Sequence, residues 1–93
     1  MIKNFKCKES RRIWLGELSL RLPRNIQRIA RRKLRMLNNA RQLSDLRIPP
    51  NNRLEALKGN RAGEFSVRIN DQWRICFKWS DGNVEHVIIE DYH

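Results

Sequence analysis

The stretch from Phe65 to Trp79 constrains the fold most, because it has the pattern of two strands joined by a short connection. Apolar residues alternate with polar ones up to Ile69 and again from Trp73 onwards. Successive side chains of a strand point to opposite faces, so both apolar sets share one face only if the connection has an odd number of residues. The three residues 70–72 meet that condition and predict a β-hairpin in which Ile69 pairs with Trp73.

The predicted hairpin brings two arginines together. Counting back from the paired Ile69 and Trp73, Arg68 lies directly opposite Arg74, on the face away from the apolar side chains. Like charges in this arrangement repel each other. They are either two solvated surface arginines or a pair that awaits an anion, and the basic composition of the chain favours the anion.

A third strand is predicted after the turn at 80–83, and it runs to the end of the sequence. Aliphatic side chains on both of its faces predict that it lies inside the sheet or has helices behind it. Its last residues are an acid, a phenol and an imidazole, and strand parity places Asp91 and His93 on one face and Tyr92 on the other. Histidine exchanges protons near neutral pH, so this end is a candidate catalytic site. The alternative is a solvated tail.

Charge is distributed unevenly along the chain. Lysine and arginine number 20 against 10 acidic residues, which gives a formal net charge of +10. Residues 1–41 contain thirteen basic and two acidic residues, whereas residues 42–93 contain seven and eight. Most of the basic residues are arginines, whose planar fork suits phosphate, so the expected partner is a polyanion, with nucleic acid ahead of a membrane. An acidic protein is the alternative partner.

Length and motifs exclude several classes of protein. The 93 residues predict one domain, 1–93. The sequence has no run of about eighteen apolar residues and no signal-peptide pattern, which predicts a cytoplasmic protein with no membrane partner. Cys7 and Cys76 are too few and too far apart for a metal site or a disulfide framework. No P-loop, dinucleotide fingerprint or zinc spacing occurs, so no metal and no other cofactor is expected.

The N-terminal half predicts one strand and two helices. Loose alternation over residues 2–7 predicts a strand along the sheet, and a short helix is expected to start at Glu9 or Ser10. A second helix begins near Pro23 and carries apolar residues at helical spacing up to Ala40. Like charges on its outward face destabilise a helix slightly, so nucleic acid or an acidic partner is expected against them. The outward residues are Arg24, Arg28, Arg31, Arg32 and Arg35.

A connector and a short strand are predicted between the second helix and the hairpin. Residues 41–52 are interrupted by Pro49 and Pro50, and a structureless connector of that length is often functional. Residues 53–58, RLEALK, predict a short strand that leads into a turn at 59–63.

Two segments of the sequence resemble a known family. Residues 53–79 read RLEALKGNRAGEFSVRINDQWRICFKW, and residues 90–93 read EDYH. Together they resemble HigB-type toxins of bacterial type II toxin–antitoxin systems, which are part of the RelE/ParE superfamily and are also described as plasmid-maintenance killer proteins. The likeness is close in the C-terminal half and extends to the N-terminal half only in layout.

The resemblance implies an α+β fold in which two N-terminal helices pack on a small, curled, mainly antiparallel β-sheet. It also implies a ribosome-dependent endoribonuclease that cleaves mRNA in the ribosomal A site and is neutralised by a HigA-like antitoxin. The catalytic residues that the resemblance implies are Lys58, Arg68, Arg74, Asp91, Tyr92 and His93, and Glu55 is a further candidate. Family members often have histidine at the position of Glu55. Either Glu55 takes an acid or base role, or His93 carries that role alone, or the activity is weaker.

These residue types match the chemistry of RNA cleavage without a metal. The 2′-hydroxyl beside the scissile phosphate attacks it, which requires a proton acceptor, a proton donor for the departing 5′-oxygen, and cations for the phosphate. The cations are Lys58 and the two hairpin arginines. His93 can move protons, with Asp91 orienting it or Glu55 acting beside it. Tyr92 can donate a hydrogen bond or stack on a base.

The remaining basic residues have a different expected role. The five helix arginines, together with Arg61 in the turn at 59–63, are expected to bind ribosomal RNA, although the helix face could instead meet the antitoxin. Two other classes of function stay open. One is a ParE-like toxin that inhibits DNA gyrase, against which the terminal DYH and the paired arginines argue. The other is a non-catalytic basic RNA-binding module in which DYH is only a tail.

Overall fold

The computed structural model describes residues 1–91 and shows an α+β fold within them. Two helices precede a four-stranded antiparallel sheet whose strands are in the order β1-β2-β3-β4. This arrangement confirms the predicted fold class. The elements are α1 (Lys8–Trp14), α2 (Arg24–Asn39), β1 (Glu55–Ala56), β2 (Glu64–Arg68), β3 (Trp73–Ser80) and β4 (Asn83–Asp91).

Helix α2 packs on the sheet through one apolar stripe. Ile26, Leu34 and Leu37 recur at helical spacing and are buried, and α2 contacts both β3 and β4. Each such side chain contributes about 1.5–3 kcal/mol when it is fully buried. The helix begins directly after Pro23 and ends at Asn39, close to the predicted bounds. Within the part of the chain that the structure describes, no helix is both long and apolar enough to span a membrane.

The hairpin of β2 and β3 has the predicted register. Arg68 is paired with Arg74, and the Ile69 N–H donates a hydrogen bond to the Trp73 carbonyl at 2.9 Å. Asn70 closes the connection, because its Oδ1 accepts the Trp73 N–H at 2.8 Å. The odd number of connecting residues therefore places the two apolar sets on one face, and it leaves the two arginines on the other.

Strand β4 is the last strand of the sheet and contains a bulge; helices α1 and α2 pack against it, which is one of the two predicted arrangements. It pairs with β3 on one side and meets the N-terminal segment on the other. The register shifts by one residue near His86, which has a left-handed φ of 54°. Because the extra residue re-aims the strand, Val84 and Val87 are both fully buried although they are three positions apart. The bulge explains part of the pattern of aliphatics on both faces.

The prediction of a regular strand over residues 2–7 is wrong. This segment runs along β4, but it makes only isolated parallel bridges, at Ile2 and Phe5. Between them the side chain of Asn4 accepts the backbone N–H of His86 at 2.6 Å. A side chain thus takes the place of a backbone partner beside the bulge, and this interrupts a continuous ladder.

The connector at 41–52 is not structureless. It contains the 3-10 helices Leu43–Arg47 and Pro50–Asn52, and Leu46 is buried beneath them. The six-residue strand predicted after the connector is reduced to β1, and the turn before β2 holds a third 3-10 helix, Gly59–Arg61. The buried Leu46 and the turns around it fold the connector against the domain.

Candidate active site

Arg74 is a charged side chain that the fold holds almost completely out of water. Only 6% of the residue is exposed. Its Nε donates a hydrogen bond to the Ser66 Oγ at 2.7 Å, and its Nη2 donates to the Arg53 carbonyl at 2.5 Å. The planar guanidinium is thereby fixed at two points, so its orientation is set before any ligand arrives.

Arg68 is the more accessible of the two paired arginines. Its side chain is 26% exposed and forms an ion pair with Asp71 in the hairpin connection. The Asp71 side chain is completely exposed, and an exposed ion pair contributes little to stability. An anion that approaches Arg68 therefore competes only with a weakly held carboxylate.

Glu55 lies on the same face of the sheet as the arginine pair. It is paired with Ser66 across β1 and β2, and directly paired residues of an antiparallel ladder project to the same side. Ser66 is also the residue that binds the Nε of Arg74. Glu55 is exposed, so its carboxylate is accessible beside a buried positive charge. The structure thus brings together Glu55, Arg68 and Arg74.

Lys58 follows β1 and precedes the 3-10 helix in the turn. It is exposed, and its side chain makes no hydrogen bond or ion pair with any of residues 1–91 that the structure records. Its catalytic role remains a prediction.

The two acidic residues at the end of β4 lie on opposite faces of the sheet. Glu90 is paired with Arg74, whereas Asp91 is paired with Trp73. Strand alternation therefore places Asp91 on the face opposite Arg74. Asp91 is exposed, and its Oδ2 accepts a hydrogen bond from the Gln72 side chain at 2.9 Å. The predicted roles of Tyr92 and His93 concern residues that lie outside the described part of the chain, and the role of Asp91 remains a prediction.

Arg61 is held by carboxylates. Its Nη2 lies 2.6 Å from the Glu90 Oε1 and 3.2 Å from the Glu64 Oε1, and these contacts raise the pKa of Arg61 further. Burial opposes ionisation of Glu90, but hydrogen bonds from Cys76 and Arg61 outweigh it and hold the pKa of Glu90 below its ordinary value. Burial, followed by the contact with Glu90, raises the pKa of Cys76 to about 12, so this thiol stays protonated near neutral pH. Contact of Arg61 with RNA remains a prediction, and its side chain already has two partners.

The five helix arginines are all exposed, as predicted. With residues 1–91 their side chains make no recorded hydrogen bond or ion pair. Four of them line a cleft of about 660 Å³ between α1 and α2, whose apolar lining includes Ile13 and Leu18. This arrangement offers a basic surface on a different element from the arginine pair.

Sequence reasoning missed two groups that bind Arg74, and it missed the inward orientation of Lys33. Ser66 has a local signal, because it is a polar residue two positions before Arg68 and therefore faces the same side of the strand. The Arg53 carbonyl and the buried Lys33 have no such signal, since each depends on a contact between distant parts of the chain. Among residues 1–91, no group of three or more His, Cys, Asp or Glu side chains is placed to hold a metal ion.

Comparison with known proteins identifies the family. The model of the HigB-like toxin family, described as a RelE-like toxin of the type II toxin–antitoxin system HigB, matches residues 3–93. The chain belongs to the HigB-like toxin family. The chain is accordingly a HigB-like toxin.

Named relatives agree with this family, and a solved structure agrees with the fold. Toxin HigB-1 of Vibrio cholerae is 49% identical over 61 residues, which cover 66% of this toxin and 64% of that protein, just under two thirds of its length. Endoribonuclease HigB of Proteus vulgaris is 31% identical over 94 residues, and the match covers 100% of both chains. The crystal structure of YafQ from Escherichia coli superimposes with a TM-score of 0.67 over 98% of this toxin and 91% of YafQ. Its sequence identity of 13% supports the fold alone.

Proposed function

We propose that this toxin is a ribosome-dependent endoribonuclease that cleaves mRNA in the ribosomal A site without a metal and so inhibits translation in the cytoplasm. The observation that carries the proposal is the pairing of Arg68 with Arg74 on one sheet face, beside the exposed Glu55. The name of the Proteus relative, an endoribonuclease matched along its whole length, supports RNA as the substrate.

The proposed reaction uses the RNA's own 2′-hydroxyl as the nucleophile. The bond from the 2′-oxygen to phosphorus forms while the bond from phosphorus to the 5′-oxygen breaks. The 2′-hydroxyl gives its proton to a base, and the departing 5′-oxygen receives one from an acid. The products are a 2′,3′-cyclic phosphate and a free 5′-hydroxyl. No step in this balance requires a metal or a cofactor.

The two arginines stabilise the negative charge that builds up on the phosphate. Arg68, the more exposed of the two, contacts a phosphate oxygen after it releases Asp71. Arg74 is fixed by Ser66 and by the Arg53 carbonyl, so its positive charge is already oriented and needs no rearrangement during the reaction. Electrostatic stabilisation of this kind contributes about 10²- to 10³-fold per group. Lys58 supplies a further positive charge.

Proton transfer is assigned to carboxylate and imidazole groups. Glu55 is exposed beside the arginine pair and accepts the proton of the 2′-hydroxyl. His93 donates a proton to the 5′-oxygen with Glu55 acting beside it, and Tyr92 stacks on a base or donates a hydrogen bond. General acid–base catalysis contributes about 10²- to 10⁴-fold.

Binding to the ribosome is assigned to helix α2. Its exposed arginines have no recorded partners within residues 1–91, so they are available for the phosphates of ribosomal RNA. A HigA-like antitoxin is the proposed neutralising partner of this toxin.

Primer extension on an mRNA in a purified translation system tests the function. Reactions with and without ribosomes compare the native toxin with a variant that lacks His93 and with Glu55→Gln. Native toxin is expected to cut within the reading frame only when ribosomes are present, and both variants are expected to cut at least about 10²-fold more slowly.

A matched control is Glu85→Gln, which removes a carboxylate from β4 opposite Lys78, away from the arginine pair. This variant is expected to cut like the native toxin. If native toxin cuts equally well without ribosomes, ribosome dependence is wrong. If it does not cut at all, a gyrase supercoiling assay becomes the next measurement.

A further inference from the structure

Lys33 is the one basic residue of α2 that faces inward. It is 5% exposed, in contrast to the exposed arginines around it. Its Nζ donates a hydrogen bond to the Oδ1 of Asn52 in the connector. Burial lowers the pKa of Lys33, and the charges of Arg32 and Arg68 lower it further. A buried ammonium group requires a polar partner, and Asn52 is that partner.

Asn52 connects the helix to the connector. It is 1% exposed, and its Nδ2 donates hydrogen bonds to the carbonyls of Leu46 at 3.1 Å and Ile48 at 3.4 Å. The amide oxygen of Asn52 therefore accepts a hydrogen bond from Lys33 of α2. The amide nitrogen donates to two carbonyls of the connector and so holds the connector in its folded conformation. If Lys33 is lost, the buried amide oxygen loses its partner.

Arg53 links Asn52 to the candidate active site. It follows Asn52 directly and has a left-handed φ of 43°, which is unfavourable for a non-glycine residue and persists only when its neighbours fix it. Its carbonyl accepts the Nη2 of Arg74 at 2.5 Å. That carbonyl belongs to the peptide between residues 53 and 54, and its direction depends on the backbone conformation at Arg53. The preceding peptide is held by the Arg53 N–H, which donates to the Pro50 carbonyl at 3.0 Å, and the Asn52 side chain fixes the connector that leads into it.

We propose that Lys33 and Asn52 are positioning residues that hold the guanidinium of Arg74 in its productive orientation through the Arg53 carbonyl. Their proposed action runs through the Arg53 carbonyl and involves no contact with RNA. The proposal rests on the proposed nuclease function, in which Arg74 stabilises the phosphate. It also makes α2 a single element with two tasks, since its outer face carries the docking arginines and its inner face supports the active site.

The position of Arg74 can be measured without any activity assay. The Nε–H of a hydrogen-bonded, buried arginine gives a resolved ¹H–¹⁵N signal that exchanges slowly with water. Lys33→Met removes the ammonium and retains an unbranched side chain. We expect the exchange of the Arg74 Nε–H to become at least about tenfold faster in this variant, because its guanidinium is no longer held from the Arg53 side.

A second variant covers the case in which Lys33→Met does not fold. Asn52→Asp keeps an acceptor for Lys33 but removes the Nδ2 donor that anchors the connector, and it is expected to accelerate the same exchange. Lys78→Met makes the same substitution as Lys33→Met at an exposed position of β3, the strand that carries Arg74, and should leave the exchange unchanged. Unchanged exchange in the folded Lys33 and Asn52 variants would overturn the proposal.

A double-mutant cycle separates positioning from general structural damage. If Lys33 acts through Arg74, Lys33→Met should lower single-turnover cleavage on saturating ribosomes about tenfold in the native background and have little effect in an Arg74→Ala background. Ribosome affinity should stay within about twofold. An equal loss of rate in both backgrounds would contradict the proposal. Absence of cleavage by native toxin would instead refute the proposed function, and the exchange measurement would still decide whether Lys33 positions Arg74.

Discussion

The toxin contains two groups of arginines, which differ in whether their side chains have recorded partners within residues 1–91. On the sheet and in the turn before β2, the guanidinium groups of Arg61, Arg68 and Arg74 are all bound by neighbouring acceptors. On α2, the five outward arginines are exposed and have no recorded partner within residues 1–91. The same residue type thus appears once as a fixed charge and once as an adaptable one.

This difference separates two kinds of contribution to function. A fixed charge requires no reorganisation when a transition state forms, so it favours the chemical step. An adaptable charge on a long side chain can follow an irregular polyanion, but its contribution falls as salt screens and displaces it. We therefore expect substitutions on the sheet to change the rate of cleavage, and substitutions on the helix to change binding.

The largest expected effect is that of Arg74→Ala. Because this charge is fixed beside Arg68, its loss should lower single-turnover mRNA cleavage on saturating ribosomes by about 10²- to 10³-fold. Ribosome co-sedimentation should change by less than about twofold. The free energy of unfolding should fall by about 1–3 kcal/mol, because Ser66 and the Arg53 carbonyl lose their buried donor.

Arg74→Lys distinguishes charge from geometry in the same assay. Lysine keeps the positive charge but cannot reach both acceptors with a planar fork, so we expect it to recover only a minor part of the lost rate. If lysine restores the full rate, the fixed orientation of Arg74 is unimportant. If Arg74→Ala weakens ribosome binding and leaves the rate on bound ribosomes unchanged, the assignment of this arginine to chemistry is wrong.

The second effect is that of reversing charges on the helix. Replacing Arg28, Arg31 and Arg32 by Glu should weaken ribosome binding and reduce the slope of log affinity against log salt, by about 0.7 for each phosphate contact that is lost. The fold should persist, because all three side chains are exposed. Co-sedimentation over a series of salt concentrations measures both quantities, and the rate on saturating ribosomes should be close to native.

A charge-matched control separates a specific surface from net charge. Replacing Lys3, Lys8 and Arg21 by Glu changes the total charge by the same amount at exposed positions outside α2. This control should weaken binding less than the α2 substitutions do. Equal weakening by both triple variants would mean that only the overall charge of the toxin matters.

Local patterns in the sequence predicted one of these two regions well. Alternation and an odd connection gave the register that sets Arg68 opposite Arg74, because strand parity within a hairpin depends only on neighbouring residues. The helical spacing in α2 likewise predicted which side its arginines occupy. The local sequence pattern therefore predicted which face of the hairpin carries Arg68 and Arg74 and which side of α2 carries its arginines.

Contacts across the chain determined the rest. Lys33 and Asn52 are nineteen positions apart in the sequence. Because Lys33 stands among exposed basic residues of α2, its inward orientation could not be predicted from the local pattern. The ion pair of Arg61 with Glu90 was not predicted, because the position of Glu90 depends on how β4 pairs with β3. The failed N-terminal strand has the same cause, because a bulge in β4 and the side chain of Asn4 are tertiary features.

The smallest expected effect concerns the acid dependence of a fixed arginine. Because the pKa of Glu90 is lower in the folded toxin than the ordinary value of 4.5, its ion pair with Arg61 stabilises the fold fully above about pH 4.5. This contribution is lost as the pH falls through the folded pKa and Glu90 becomes protonated. Glu90→Gln should therefore lower the free energy of unfolding by about 1 kcal/mol at pH 7, and by progressively less below pH 4.5.

Chemical denaturation at a series of pH values from 7 to 3 measures this difference. Arg61→Met should also show a loss that shrinks at low pH, because it removes the pair with Glu90 together with the contact to Glu64. In the double variant, Arg61→Met should add to Glu90→Gln only the effect of the lost Glu64 contact. Arg31→Met on α2 should show no such dependence, since that side chain has no recorded carboxylate partner within residues 1–91. A stability difference for Glu90→Gln that stays constant from pH 7 to 3 would mean that Arg61 is not held by an ionised carboxylate. The contrast between fixed and adaptable arginines would then rest on Arg68 and Arg74 alone.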